Sequence, residues 1–436
     1  MKKKSILRLF EEIGLDYAVI NRLSVETGFI KRSRMIKAIE FLIYMITESV
    51  HGCVSCNDLA ATIQCESGPA VSRQAYHRKM GHASVHFFEA VLARIMQAKT
   101  GTVIPSQFRR FKRILVQDST IVKLPSKLMS IFSGVKNASA QVCNARIQSV
   151  YDLLGGVFTH WSIHPYSKTD IAVANELHVK SGDLVLRDRG YFTPSESLRI
   201  IKAGGEFISR YKHKTTLYDP QTGREIDLIK LLKSKRDIDR RVLIGKENPV
   251  EVRILAAEVS EEIANCRRRK AKRENKGHDP SKTVLFLLGW TIFLTSITHE
   301  ELSINDFLGL YGLRWRIETI FKTWKSHFNF DKIHTVGENQ LRLILMARFI
   351  AISLFYKKIY VPLSKVLTKK SDKKLSLIKL MRYISRHLVV IPQLLKAAHG
   401  SIKNLEVVEK YCTYDKRKRL NYVEKEREIL ILIDSR

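Results

Sequence analysis

The sequence is poor in cysteine, in long apolar runs and in acidic side chains. Six of its 436 residues are cysteines, too few for a disulfide scaffold, which fits a reducing compartment. The longest apolar run, 343–356, is short for a bilayer and carries Arg348, so we expect no membrane span. The first residues, MKKKSILRLFEEIG, lack a long apolar segment and a small-residue cleavage site, so we expect no export signal.

Two further absences bear on metal and nucleotide binding. Cys53 and Cys56 form a CxxC, but no second pair exists to complete a zinc site, so ordinary packed or surface cysteines are expected. Neither a P-loop nor a GxGxxG fingerprint is present, so neither ATP nor NAD is indicated.

Basic residues dominate what is present. There are 75 Lys and Arg against 43 Asp and Glu, a formal net charge of +32, while 45% of residues are hydrophobic. That apolar content is typical of packed protein, and the length suggests two or three domains. A basic surplus of this size points to a polyanionic partner, with nucleic acid the leading candidate.

The segment 71–80, VSRQAYHRKM, predicts a short basic helix with Ser72 as its N-cap. It follows another predicted helix and a turn at 66–70. This pairing resembles a helix–turn–helix, whose second helix could enter a DNA groove. A solvated face of a helical subdomain explains the pattern equally well.

A polar stripe runs along the segment 303–328, which the apolar period predicts to be one helix. With Tyr311 as zero, Arg314, Glu318 and Lys325 fall at about 300°, 340° and 320° around the helix. These groups therefore lie along the edge of the apolar face instead of opposite it. Taken alone, the Arg314–Glu318 pair could be an ordinary surface ion pair.

Two aspartates accompany predicted strands. Asp118 interrupts the apolar strand RILVQDSTIV, and Asp188 closes the apolar strand LVLRD. A carboxylate near a buried strand end is costly unless it is paired or metal-bound. Two such carboxylates and one from a helix could hold two Mg²⁺ ions for in-line attack on a phosphodiester. Either aspartate alone could equally be a turn or capping residue.

These residues resemble a known family. The pattern Tyr311-x2-Arg314-x3-Glu318-x6-Lys325 matches the YREK signature of the IS-four family of insertion-sequence transposases. LRDRGYF at 186–192 resembles the family's second-aspartate motif, and VQDST at 116–120 is similar to its first-aspartate strand. The resemblance covers roughly 110–350.

The resemblance implies an α/β fold: an RNase H-like mixed sheet flanked by helices, with a mostly β insertion and a helical N-terminal region. It implies that Asp118, Asp188 and Glu318 are the catalytic DDE metal ligands. It further implies that Tyr311, Arg314 and Lys325 contact phosphates at the transposon end. Arg189 could lie near the active site or only anchor its loop.

We accordingly divide the chain into five segments. They are a helical N-terminal DNA-binding region (1–105), the first part of the core (106–212), a β-rich insertion (213–298), the second part of the core (299–350) and a helical C-terminal region (351–436). The insertion carries a basic run, CRRRKAKRENK at 266–276. Phosphate binding by this run is favoured over a solvated charge run, and its candidate DNA-binding residues are Arg267, Arg268, Arg269 and Lys270.

The function expected from the sequence is transposition. The enzyme would bind the terminal inverted repeats of its element, cut by metal-dependent hydrolysis and join the 3′ ends to target DNA by transesterification. Mg²⁺ would be the cofactor, as two ions, with Mn²⁺ able to substitute. A homodimer in the DNA complex and a bacterial, cytoplasmic and nucleoid-associated location are also expected. The alternatives are a related metal-dependent nuclease without strand transfer and a catalytically silent DNA-binding relative.

Overall fold

The computed structural model describes most of the chain in thirteen stretches: 2–32, 35–52, 54–67, 70–98, 110–133, 142–235, 237–274, 279–298, 302–371, 373–401, 405–415, 424–425 and 428–429. Cys53 therefore lies outside the described residues. The chain forms two compact units. Unit 1 comprises 1–105, 119–168 and 316–424, and unit 2 comprises 106–118, 169–315 and 425–436.

The N-terminal part of unit 1 is helical, as the sequence predicts. Its helices, numbered in chain order, are α1 (Lys2–Glu11), α2 (Tyr17–Glu26), α3 (Ala38–His51), α4 (Cys56–Ser67), α5 (Arg73–Lys79) and α6 (His82–Gln97). Ser72 caps α5 by accepting a hydrogen bond from the Ala75 amide, which confirms that helix start. Phe41, Phe87 and Phe88 pack this region around a common aromatic core.

Nine strands form one sheet in the order β3-β2-β1-β4-β5-β9-β8-β7-β6. The strands are β1 (Arg113–Lys123), β2 (Asn144–Asp152), β3 (Val157–Pro165), β4 (Asp183–Arg187), β5 (Glu206–Arg210), β6 (Leu217–Tyr218), β7 (Asp237–Ile244), β8 (Val250–Glu258) and β9 (Trp290–Thr295). β4 pairs in parallel with β1 and β5, whereas β2 and β3 form an antiparallel hairpin. This mixed, helix-flanked sheet confirms the predicted α/β fold class.

Burial explains where the strands form. All five residues of β4 are buried, as expected for a parallel strand covered on both faces. The dipeptide Gly155-Gly156 between two strand-like segments predicts a hairpin turn, and both glycines lie in the β2–β3 turn. Gly156 has a φ of 64°, and a Cβ on Gly155 would come within 2.5 Å of an Asp152 carboxylate oxygen. Glycine is therefore required at both positions. The sequence TDIAVANELHVK at 169–180 predicts an α-helix, but the structure has a 3₁₀ helix over Ile171–Glu176.

The segment 213–298 mixes strands and helices. Strands β7, β8 and β9 extend the sheet from β5. Helix α8 (Leu228–Ser234) precedes β7, and α9 (Glu261–Glu274) and α10 (Lys282–Leu287) lie between β8 and β9. The apolar run KTVLFLLGWTIFLTSI at 282–297 predicts a strand, and this prediction is wrong in its first half. Ser281 caps α10 by accepting from the Val284 amide, so the apolar run begins as a helix and continues as β9.

The single helix predicted over 303–328 is also wrong in one respect: it is two helices. α11 spans Ile304–Gly312 and α12 spans Trp315–His327. Between them the Leu313 and Arg314 amides donate to carbonyls three residues back, which tightens the turn and breaks the continuous α-helical period. Gly312 lowers helix propensity at this point.

The C-terminal part of unit 1 is helical, as expected. It contains α13 (Glu338–Phe355), a π-helical turn (Tyr356–Tyr360), α14 (Val361–Lys370), α15 (Leu377–Arg386), α16 (Ile391–Ala398) and α17 (Glu406–Tyr411). Helix α13 is a core helix, and its Arg348 is fully buried and donates to the Ser49 and Gly52 carbonyls. Among the described residues, no helix is long and apolar enough to cross a membrane.

Candidate active site

Asp188 follows directly after the buried strand β4. It begins a short 3₁₀ turn, Arg189–Tyr191, and its own carbonyl accepts from the Tyr191 amide at 3.1 Å. The carboxylate is exposed, does not cap the turn and makes no hydrogen bond or ion pair with the described part of the chain. A capping role for Asp188 is therefore not what the structure shows, and both carboxylate oxygens are available to a ligand.

The turn after Asp188 explains the sequence Asp-Arg-Gly-Tyr. A Cβ on Gly190 would come within 3.1 Å of the Asp170 carboxylate, so this position favours glycine. Tyr191 is buried against Val173 and Ala174, which anchors the turn. The side chain of Arg189 is exposed, so it is accessible to a DNA ligand.

A buried ion-pair network lies behind Asp188. Arg187 donates to the Glu196 carboxylate at 3.0 Å and to the Ala174 carbonyl at 2.9 Å. Burial lowers the pKa of Arg187, although the Glu196 carboxylate opposes this shift. Burial acts to raise the pKa of Glu196, but hydrogen bonds from Arg199 and Arg187 outweigh it and hold that pKa below its usual value. The network fixes the end of β4.

Asp118, on β1, forms an ion pair with Arg314. The Nη1–Oδ2 distance is 3.0 Å, and the two side chains are 17% and 8% exposed respectively. Both residues belong to unit 2. The structure thus brings together one predicted metal ligand and one predicted phosphate ligand.

Tyr311 lies in the same part of unit 2. It is 5% exposed, and its hydroxyl donates to the Arg187 carbonyl at 3.2 Å. The Arg314 guanidinium carbon lies 5.8 Å from the centre of its ring. Burial raises the pKa of Tyr311, and the charge of Asp188 acts in the same direction. The helical period places Tyr311 at the edge of the apolar face, and in the structure this residue is buried.

Glu318 and Lys325 lie on α12, in unit 1. Glu318 is half-buried in the first helical turn, where the helix dipole favours a carboxylate. Lys325 donates from Nζ to the Ile121 carbonyl of β1 at 2.9 Å. Arg316 anchors the start of this helix by donating to the hydroxyls of Tyr356 and Tyr360.

The carboxylate set suits a divalent metal in its chemistry, because Mg²⁺ prefers oxygen ligands. Asp188 offers both oxygens, whereas Asp118 shares its carboxylate with Arg314. Within the described stretches, no three His, Cys, Asp or Glu side chains form a ready metal cluster. The assignment of Asp118, Asp188 and Glu318 as the ligand set therefore stays a prediction.

The basic run of the insertion lies on α9, and its residues differ in their surroundings. Arg267 donates to the Leu288 and Trp290 carbonyls, and Arg268 donates to Glu261. Arg269 and Lys270 are exposed, the latter in an i,i+4 pair with Glu274. The first two side chains are thus engaged inside the protein, and the last two face solvent.

Sequence reasoning missed one candidate functional residue, Trp315. Trp315 is 58% exposed, next to Arg314, whose guanidinium carbon lies 5.7 Å from the indole. Two other tryptophans are packed: Trp290 is 7% exposed, and Trp161 stacks on Phe349. The signal that could have found Trp315 is its position on the polar side of α12, next to the predicted phosphate ligand.

The family model for the transposase DDE domain matches residues 109–354, which include all the candidate residues above. The chain belongs to this family of DDE transposases. It is accordingly an enzyme of DNA transposition, and its family uses divalent metal ions.

Curated relatives extend the similarity beyond the domain. The chain is 26% identical to the transposase of insertion sequence element IS231D from Bacillus thuringiensis subsp. finitimus, over 93% of this chain and 89% of the relative. It is also 26% identical to the transposase of IS1151 from Clostridium perfringens, over 81% and 80% of the two chains.

Among solved structures, the chain is similar to a piggyBac transposase in a synaptic complex with hairpin DNA. The TM-score is 0.45 at 10% identity, over 95% of this chain and 86% of that one.

Proposed function

We propose that Asp118, Asp188 and Glu318 form the catalytic carboxylate set for cutting and joining DNA at the ends of an insertion sequence. The observation that carries this proposal is the exposed Asp188 carboxylate at the end of a buried parallel strand, without a protein partner in the described chain. Strand ends of open α/β sheets are where such folds gather ligand sites.

The three carboxylates would hold Mg²⁺, as two ions and with Mn²⁺ able to substitute. When bound, these ions supply positive charge to the attacking and leaving oxygens of the phosphodiester. The carboxylates themselves remain ligands and form no bond to DNA. No covalent protein–DNA intermediate is needed.

The bond changes balance in both steps. In cleavage, a water oxygen bonds to phosphorus and the bond between phosphorus and the 3′ oxygen breaks, which leaves a 3′-hydroxyl on the element. In joining, that 3′ oxygen attacks a target phosphodiester and displaces a target 3′-hydroxyl. One phosphodiester is made for each one broken, so joining requires no external energy source.

Arg314 and Lys325 would position the DNA phosphates. A guanidinium can hold two phosphate oxygens at once, and Arg314 already lies at Asp118. Lys325 uses one donor on the Ile121 carbonyl and retains two others. Positioning of this kind matters most when a DNA end and a target strand must be aligned.

End recognition would fall to α5. Its side chains Arg73, Gln74, His77 and Arg78 are exposed, whereas Tyr76 is buried and Lys79 is held by the Phe29 carbonyl. Arginine and glutamine are the side chains that read guanine and adenine in the major groove. We propose that this face contacts the terminal inverted repeats, and that two copies act together because an element has two ends.

The test is a cleavage and joining assay with the full chain, Mg²⁺ and DNA carrying the element's own ends. The isosteric variants Asp118→Asn, Asp188→Asn and Glu318→Gln should each lose cleavage by on the order of 100-fold or more while still binding the ends. Asp237→Asn, an exposed strand carboxylate in unit 2, is the matched control and should remain active.

Two outcomes would replace this proposal. Wild-type protein that nicks the ends but never joins a pre-cleaved end to target would be a nuclease without strand transfer. Wild-type protein that binds the ends but cuts nothing in Mg²⁺ or Mn²⁺ would be a silent DNA-binding relative.

A further inference from the structure

The Tyr311 hydroxyl is held inside unit 2. The ring packs 5.5 Å from the ring of Phe293 and 5.6 Å from the guanidinium carbon of Arg210. The hydroxyl is buried and acts as a hydrogen-bond donor. Its acceptor is the Arg187 carbonyl. A hydroxyl in this position would have to leave its site to reach a DNA phosphate.

The accepting carbonyl belongs to the peptide that joins Arg187 to Asp188. Holding this carbonyl fixes the peptide plane, and the plane sets the direction in which Asp188 leaves the strand. On its other side, Asp188 is fixed by the bond from the Tyr191 amide to its carbonyl. The Arg187 side chain is fixed by Glu196. The backbone at Asp188 is thus restrained while its carboxylate stays exposed.

We propose that Tyr311 is a positioning residue for Asp188, acting through the Arg187–Asp188 peptide. This inference rests on the proposed function, in which Asp188 is a metal ligand. The role differs from the phosphate contact that the sequence resemblance implies for Tyr311. It predicts that removing the hydroxyl lowers the affinity of the protein for metal and leaves its affinity for DNA unchanged.

The experiment measures Mn²⁺ binding to the full chain on end DNA, with free Mn²⁺ counted by electron paramagnetic resonance. Tyr311→Phe keeps the packed ring and removes one hydrogen bond, so Mn²⁺ affinity should fall roughly 3- to 10-fold. In EDTA, the affinity of Tyr311→Phe for end DNA and its salt dependence should equal those of wild type. Unchanged Mn²⁺ affinity, or weakened DNA binding in EDTA, would overturn the inference.

Two controls separate this role from its alternatives. Tyr211 also donates a hydroxyl to a backbone carbonyl in unit 2, that of Thr215 at 3.0 Å. Tyr211→Phe should leave Mn²⁺ affinity unchanged, and an equal loss there would mean that the effect is general destabilisation. Asp188→Asn should weaken Mn²⁺ binding more than Tyr311→Phe does. If it has no effect, Asp188 is not a ligand and the proposed function fails at that residue.

Discussion

Arg314 and Asp118 are 196 residues apart in sequence and meet in an ion pair of 3.0 Å. The pair joins the residue before α12 to strand β1, and neither side chain is more than 17% exposed. In the absence of DNA, the arginine therefore neutralises a carboxylate that we propose as a metal ligand. We propose that the same cation contacts a phosphate of the bound DNA.

Arg314→Ala should reduce strand joining more than initial nicking, with Mg²⁺ dependence retained. Joining needs a 3′ end and a target strand aligned together, whereas nicking needs only water at one phosphate. A pre-cleaved end lets joining be measured independently of the first cut. Lys325→Ala should show the same bias. A variant that shifts the metal requirement without changing the ratio of joining to nicking would contradict the phosphate role.

The control for Arg314→Ala is Arg241→Ala, which breaks an exposed ion pair with Glu251 in the same unit. An exposed pair contributes at most about 1 kcal/mol, so this variant should join DNA normally. Because Arg314 is buried, the melting temperature of the Arg314→Ala variant should be measured together with its joining activity. Arg314→Lys should keep more stability than Arg314→Ala but lack the two-point phosphate contact.

The basic helix α9 gives a prediction about salt. If Arg269 and Lys270 contact the DNA backbone, the double alanine variant should flatten the slope of log affinity against log salt by roughly one unit per lost contact. Binding should weaken equally on all DNA sequences. Lys246→Ala, an exposed lysine in unit 2, is the control. An unchanged slope would make this run an ordinary solvated face.

Arg267 and Arg268 should behave differently from their neighbours. Arg267 donates to the Trp290 carbonyl and to the Thr291 hydroxyl, so its loss leaves buried acceptors without a donor, which costs about 1–3 kcal/mol. Arg267→Ala should therefore lower the melting temperature more than Arg269→Ala does. Thermal unfolding of the two variants in one buffer checks this difference.

The face of α5 gives a prediction about specificity. Arg73→Ala and Gln74→Ala should each weaken binding to the element's ends by about 1–3 kcal/mol and leave binding to unrelated DNA nearly unchanged. Competition binding with both DNAs measures the two affinities together. Arg94→Ala, on the exposed side of α6, removes the same charge and should affect both DNAs equally little. Equal losses on both DNAs would show that α5 contacts only the phosphate backbone.

Local chemistry accounts for what the sequence could predict. The Ser72 cap, the Gly155–Gly156 turn and the buried run of β4 depend on neighbours in the chain, and all three are confirmed. The break at Leu313 and Arg314 could not be read from apolar spacing, because both helices keep an apolar stripe. The burial of Tyr311 depends on Phe293 and Arg187, which are distant in sequence. Such contacts follow from the fold and not from any local pattern.

Lys357 gives the last prediction, which concerns stability and pH. It is 4% exposed, and its Nζ donates to the Ile95 and Ala98 carbonyls at the end of α6. Burial, with a smaller contribution from Lys358, lowers the pKa of Lys357 to about 8. Between pH 8 and roughly 10.5, the unfolded chain therefore binds more protons at this site than the native protein. The free energy of unfolding should rise with pH across that window, by at most about 1.4 kcal/mol per pH unit from this group.

Lys357→Met removes this dependence, so the difference in stability between wild type and variant should be flat below pH 8 and should grow above it. Denaturant unfolding at fixed pH values from 7 to 10.5 measures this difference, with the exposed Lys246→Met as control. If the difference stays constant over the whole range, Lys357 has the same charge in the native and unfolded states, and its burial does not lower its pKa.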